Sequence, residues 1–197
     1  MSTTIQDGTG TKFKVKIDAE NRLYTKTINE SEFDHATSKG EAFNINTEFI
    51  TATSSTEIPL LYLRNNEDRD LVVYAWFIGT DNESGSASRL SLMRVYTNPT
   101  SGTIISSGTD LTPVNRLIGS SEQLNVTAKK GGDGFTFAGN NSTPILFQTQ
   151  GTKSRVFGTV QLVLQKASSL VVTFQQYGLT SSDIYTGFQV YLSDQNL

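Results

Sequence analysis

The sequence predicts an all-β protein, an antiparallel β-sandwich preceded by an N-terminal β-hairpin arm. Three observations lead there. Short runs of branched and aromatic residues recur along the 197-residue chain, separated by clusters of Gly, Pro, Asn and Ser; that punctuation belongs to sandwiches and barrels. The last three runs alternate. Val160, Leu162 and Leu164, then Leu170, Val172 and Phe174, then Phe188, Val190 and Leu192 line one face, while Gln161, Gln165, Thr173, Gln175 and Gln189 take the other. A period of two is that of strands with one buried face. Finally, charged residues make up 18% of the chain, below the roughly 25% of ordinary soluble domains. Ser, Thr, Asn, Gln and Gly fill the difference.

The arm comes first. After ten small and polar residues, Lys12-Phe-Lys-Val-Lys-Ile17 alternates without a fault: Lys12, Lys14 and Lys16 on one face, Phe13, Val15 and Ile17 on the other. Asp18-Ala-Glu-Asn21 reads as a turn into Arg22–Ile28, and the two runs are expected to pair as a hairpin. A hairpin alone is marginal in water, so its apolar stripe is expected to pack on another surface. The lysine face is solvated, guards an edge against stray pairing, or meets an acidic protein surface. Asn29–Lys39 reads as the one helical segment, with Ser31 as N-cap, acidic residues in its first turn and Gly40 as its stop. This assigns residues 1–40 to the arm and 41–197 to the β domain.

Within the domain, strands are expected near Phe43–Phe49, Leu60–Leu63, Leu71–Ile78, Leu90–Tyr96, Gln123–Ala128, Phe135–Phe137, Ile145–Thr149, Val156–Gln165, Leu170–Gln176 and Gly187–Leu192. Asn65–Asp70 is a turn whose Asn and Asp side chains can bond their own backbone. Thr80–Ser88 and Asn98–Gly108 read as long polar loops, and Lys130-Gly-Gly-Asp-Gly134 as a tight turn. The run Leu71–Ile78 is apolar on both faces: Leu71, Val73, Ala75 and Phe77 on one, Val72, Tyr74, Trp76 and Ile78 on the other. One face should meet the core and the other should be covered by a further segment or a subunit. Tyr74 and Trp76 therefore join Lys12–Ile17 as interface candidates, and the doubly apolar strand predicts a homotrimer, since a monomer exposing it would carry a larger patch than single domains tolerate.

Chemistry is hard to place on this chain. With no Cys there is no disulfide framework or thiolate metal site. The single His35 is not matched by a Gly-x-Ser-x-Gly nucleophile elbow, and its surroundings favour packing or capping over catalysis. No phosphate-cradling loop occurs, because Gly131-Gly-Asp-Gly134 lacks the following Lys-Ser/Thr. Glu67, Asp68 and Asp70, or Asp81 and Glu83, fit no calcium loop and read as solvated turn residues. Trp76, mid-strand among apolar neighbours, reads as core or interface rather than as a sugar platform. No enzyme activity and no cofactor are expected. A net charge of −3 gives no electrostatic case for nucleic acid or anionic membrane. The N-terminal residues show no apolar signal region, so synthesis in a cytoplasm is expected.

One set of residues carries a resemblance. Asn21-Arg-Leu-Tyr24, Glu30-Ser-Glu-Phe33, His35-Ala36 and Gly40-Glu-Ala-Phe43, followed by Leu60-Leu-Tyr-Leu-Arg-Asn-Asn66 and Leu71-Val-Val-Tyr74, resemble the N-terminal part of small structural proteins of tailed bacteriophages. The resemblance covers roughly the first 80 residues, and no catalytic motif lies within it. It implies a virion protein made in the host bacterial cytoplasm, a capsid cement or decoration protein with a jelly-roll domain. Such a protein would sit as a trimer on the capsid surface, bound to the major capsid protein. The alternative is a carbohydrate- or receptor-binding module of a tail fibre or head fibre.

Overall fold

The computed structural model describes residues 5–6, 12–13, 31–52, 56–81, 91–132, 134–137, 144, 146–150, 155–176 and 182–193. In chain order the elements are β1 (Ile5–Gln6), β2 (Lys12–Phe13), α1 (Glu32–Lys39), β3 (Ala42–Asn46), β4 (Ile50–Ala52), β5 (Ile58–Asn65), β6 (Leu71–Asp81), β7 (Ser91–Thr97) and β8 (Pro99–Ser101). They continue with α2 (Thr103–Ser107), β9 (Thr109–Asp110), β10 (Val114–Asn115), β11 (Val126–Lys130), β12 (Thr136–Phe137), β13 (Leu146–Gln150), β14 (Arg155–Leu164), β15 (Ser169–Gln176) and β16 (Ser182–Leu192).

The chain divides into two units between Ser31 and Glu32. In the first, β1 and β2 pair antiparallel, with Ile5 opposite Phe13 and Gln6 opposite Lys12. Lys12–Phe13 thus has a strand partner on its N-terminal side that the alternation did not signal. Lys14–Ile17 and the expected partner Arg22–Ile28 lie outside the described residues.

The second unit is an all-β sandwich. Among the described residues, one antiparallel sheet runs β10-β3-β16-β6-β14, with β4 also on β16, and the other runs β13-β7-β15-β5-β11-β9. Their inner faces supply one core: Phe43, Ile45, Val73, Trp76, Phe188 and Val190 from the first sheet meet Leu61, Leu63, Met93, Val95, Val172 and Phe174 from the second. The Asn65–Asp70 connector carries the chain from one sheet to the other. Asn65 fixes it from a buried position. Its Nδ2 donates to the Arg69 carbonyl at 2.9 Å and the Leu164 carbonyl at 2.8 Å, and its Oδ1 accepts from the Glu67 N–H at 2.9 Å. An Asx side chain that replaces backbone partners in this way is what the composition of the turn implied.

The doubly apolar strand is explained by one extra residue. Val73 pairs with Val190 and Ala75 with Gln189, so Tyr74 has no counterpart on β16. On the other flank Val73 meets Leu162 and Ala75 meets Thr159, again with the register shifted. A bulge exchanges the faces of a strand. Before it Leu71 and Val73 point into the core; after it Trp76 and Ile78 do. Val72 and Tyr74 point outward, where Phe33 and Ala36 of α1 pack over them together with Ala42 and Tyr191. The second apolar face is covered by the chain's own helix, so this strand by itself creates no need for a subunit. The helix groups with the β domain for the same reason.

Asn98–Gly108, expected as a polar loop, contains β8 and α2. Ile104 of α2 is fully buried on the outer face of the second sheet with Tyr62, Tyr96 and Val171, and Phe135 and Phe137 close over it. A helix of five residues anchored by one side chain shows no periodicity to read.

Among the described residues, the two sheets end at the β10/β9 side on strands of two residues. At the other side they end on β13 and β14, of five and ten residues, and Arg155 is the sole charged residue in either.

Candidate binding surfaces

Lys12 and Phe13 lie in β2, and Lys14, Val15, Lys16 and Ile17 lie outside the described residues. Trp76 is 4% exposed and belongs to the inter-sheet core; its indole has no surface to offer a partner, because the bulge at Tyr74 turns it inward. Tyr74 is half-buried and stacked on Phe33, ring centroids 4.3 Å apart at 9°. Tyr191 meets the same phenyl ring edge-on at 6.0 Å, and the Arg116 guanidinium lies 5.0 Å from its centroid. The Tyr191 hydroxyl donates to Glu32 Oε2 at 2.9 Å. Burial, then that bond, pushes the phenol up to about 12. This cluster holds a helix to a sheet.

A second polar group lies on the outer face of the other sheet. Arg94 Nη1 pairs with Glu57 Oε2 at 2.9 Å and donates to Gln175 Oε1 at 3.0 Å, and the Thr173 hydroxyl donates to Glu57. Burial first, then the Glu57 charge, raises the Tyr96 phenol to about 12. Each member is bonded within the group, which makes it a structural ion-pair network rather than a poised acid–base pair.

Among the described residues, two apolar surfaces of more than one side chain remain that the fold does not consume. The first is the loop after β10. Asn115 fastens it: its Nδ2 donates to the Gly40 carbonyl at 2.6 Å and the Glu122 carbonyl at 3.2 Å, and its Oδ1 accepts from the Leu117 N–H at 2.8 Å. The Ser120 N–H closes a turn on the Leu117 carbonyl at 3.0 Å, with Gly119 supplying the positive φ of 91° that such a turn needs. Arg116 is turned inward onto Asn44 and Phe33. Outward go Val114, Leu117 and Ile118, exposed by 61%, 40% and 99%.

The second is the part of the first sheet's outer face that α1 leaves open. Phe49, 65% exposed, stands edge-on to Tyr185 at 5.3 Å and 75°, and Phe77 lies 6.2 Å from Tyr185. Sequence reading passed over both surfaces. Leu117-Ile118 is an aliphatic pair in a polar loop, and single exposed aliphatics are too common to mark a site. Gly79 and Gly187, inside strand-like runs, were the readable sign of the second, since such glycines mark close approach.

Among the described residues no cluster of three or more His, Cys, Asp or Glu could hold a metal ion, and no helix is long and apolar enough to cross a membrane. No family model and no curated protein matches the chain.

Proposed function

We propose that the chain is a non-enzymatic structural protein of a bacteriophage virion, a cement or decoration protein that assembles as a trimer and binds the outer surface of the major capsid protein. The observation that carries this reading is the Val114–Ile118 loop. Its backbone is fixed by hydrogen bonds, yet it presents aliphatic side chains where turns ordinarily carry Asn, Asp or Pro. Folding asks only for Gly119 at this turn and is indifferent to Ile118. A preorganised apolar knob is suited to a protein partner, because no ordering cost remains to be met on docking. Burying Ile118 contributes roughly 1.5–3 kcal/mol, and a trimer offers that contact three times over. The sandwich, low in charge and polar without being ionic, suits lateral contacts, and the resemblance of the first 80 residues points to the same class. In this reading the domain is a jelly roll, and the arm, through Phe13, Val15 and Ile17 with Lys12, Lys14 and Lys16 behind them, lies across neighbouring subunits.

Copy number in purified particles tests the placement: hundreds of chains place the protein on the capsid, and a handful refutes it in favour of the fibre-borne alternative. Sedimentation of the purified protein tests the trimer, which a stable monomer at micromolar concentration would refute. Deleting residues 1–30, which leaves α1 and the whole second unit, is expected to preserve the thermal midpoint while weakening binding to undecorated capsids at least about tenfold, or 1.4 kcal/mol.

A further inference from the structure

The outer face of the second sheet carries an apolar row. Val171 of β15 stands opposite Tyr62 of β5 on one side and Tyr96 of β7 on the other, and all three are buried. They are hidden by a small structure that, among the described residues, belongs to neither main sheet. β8 pairs with β12 in a two-stranded sheet of its own, and α2 follows β8 after Gly102. The pieces are fastened to each other. The Thr100 hydroxyl donates to the Thr136 carbonyl at 3.2 Å, and the Ser101 and Thr136 hydroxyls share a hydrogen bond. Two glycines bring backbone onto backbone: a Cβ on Gly102 (φ 142°) would run into the Gly134 carbonyl oxygen, and one on Gly132 (φ 101°) would lie 2.6 Å from the Ile104 nitrogen. Toward the sheet the structure offers Ile104, with Ile105, Phe135 and Phe137 around it; the two phenyl rings lie 5.5 and 5.2 Å from Tyr96. The main sheet grips the chain at the borders. The Asn98 N–H donates to the Ser169 carbonyl at 2.8 Å, and the Asn98 Oδ1 accepts from the Ser169 N–H at 2.9 Å. Thr109 pairs with Lys130, and the Gly131 N–H donates to the Leu60 carbonyl at 3.4 Å.

We infer that β8, α2 and β12 form a lid that opens and closes over Tyr62, Val171 and Tyr96 while the sandwich stays folded. A two-stranded ribbon and a helix of five residues each lack stability of their own in water, so the closed state rests on the packing of apolar side chains against the sheet. A segment held to a fold in this way opens at a smaller free-energy cost than the core. The pinned borders at Asn98, Thr109 and Gly131 let it lift without disturbing the ladders of β5, β7 and β15. Closed, the lid shows Thr100, Ser101, Ser106 and Ser107 to solvent; open, it uncovers an apolar strip. The inference is independent of whether the chain sits on a capsid or a fibre.

Thiol labelling of the full chain tests it, because the sequence has no cysteine of its own. Val171→Cys puts a thiol under the lid, and Val172→Cys puts one on the other face of the same strand, in the inter-sheet core. With a chromogenic aromatic disulfide in native buffer, the first should react at least about a hundredfold faster than the second. Its rate should be nearly flat in low urea, because lifting the lid exposes little surface. Ile104→Ala added to Val171→Cys should speed the reaction at least about tenfold. Equal rates for the two thiols overturn the proposal, since global unfolding alone would then uncover Val171. A urea dependence as steep for Val171→Cys as for Val172→Cys overturns it too, as does a rate that Ile104→Ala leaves unchanged. Tyr62→Cys against Leu63→Cys, neighbours on β5 that face the same two sides, repeats the comparison should either valine variant fail to fold.

Discussion

Replacing Phe33 with Ala removes the ring that fills the space between α1 and the first sheet. The side chain is 7% exposed, and large-to-small changes at such positions cost roughly 3–5 kcal/mol, transfer and cavity together. Its stacking on Tyr74 and edge contact with Tyr191 are each worth about 0.5–1.5 kcal/mol beyond burial, and the Arg116 contact about 0.5–1 kcal/mol. Simple addition would overshoot. The helix has eight residues, and isolated helices shorter than about 12–15 residues are marginal in water. Once its anchor is gone the helix can leave the sheet, so the loss is capped by its docking free energy. We expect about 3 kcal/mol by urea unfolding, with amide protection lost across Glu32–Lys39 before the rest of the sandwich. A Phe33/Tyr74 double-mutant cycle should return a coupling of about 0.5–1.5 kcal/mol. A loss below about 1 kcal/mol, or helix amides that stay protected in Phe33→Ala, would refute the claim that this ring closes the outer face.

Three further outcomes follow from the packing described above. Gly158→Ala would place a Cβ 2.5 Å from Trp76 Nε1, so it should cost about 1–3 kcal/mol by overpacking and shift the tryptophan emission; an unchanged midpoint would show that the indole has room. Arg94→Ala strips Glu57 of its ion-pair partner at a side-chain exposure of 26%, and a loss of about 2 kcal/mol in chemical denaturation is expected, below the figure for fully buried pairs; a neutral result would contradict the network. Tyr96 and Tyr191, raised from 10 to about 12, favour the protonated phenol in the fold. Their contribution is complete below pH 10 and is lost as pH climbs toward 12. Ultraviolet titration should show late-ionising phenols, and Tyr191→Phe should remove one of them.

Period-two alternation was enough to read the fold class and the inward residues of β15 and β16, Leu170, Val172 and Phe174, then Phe188, Val190 and Leu192, although Val171 and Tyr191 on their outer faces are buried as well. It misled at Leu71–Ile78, where an alternating pattern was extended through a bulge. Strict alternation groups Trp76 with Val72 and Tyr74, whereas Tyr74 is the extra residue and Trp76 lies on the inward side. Nothing local in Val73-Tyr74-Ala75 announces a bulge; it arises from the registers of β14 and β16 on either flank. The helix was legible from its acidic first turn and Gly40, but its docking on β6 was not, since Phe33 and Tyr74 lie far apart in sequence. For the contact between Phe77 and Tyr185, the cross-strand pairing of Gly79 with Tyr185 and of Phe77 with Gly187 was the missing information.

The unequal ends of the sandwich bear on how the protein behaves at high concentration. Polymerisation by strand addition needs a donor edge and an acceptor edge on every copy, so that each arrival re-creates the surface it used. Here one side ends on strands too short to template a neighbour, and only the β13/β14 side is long and nearly free of charge. Two copies joined along that side would hide both receptive edges and leave blunt ones outward. Such an encounter is a dead end and not the first step of a fibre. A chain held at high concentration would remain dispersed for that reason, without the lysines and prolines that other sheets place along their margins.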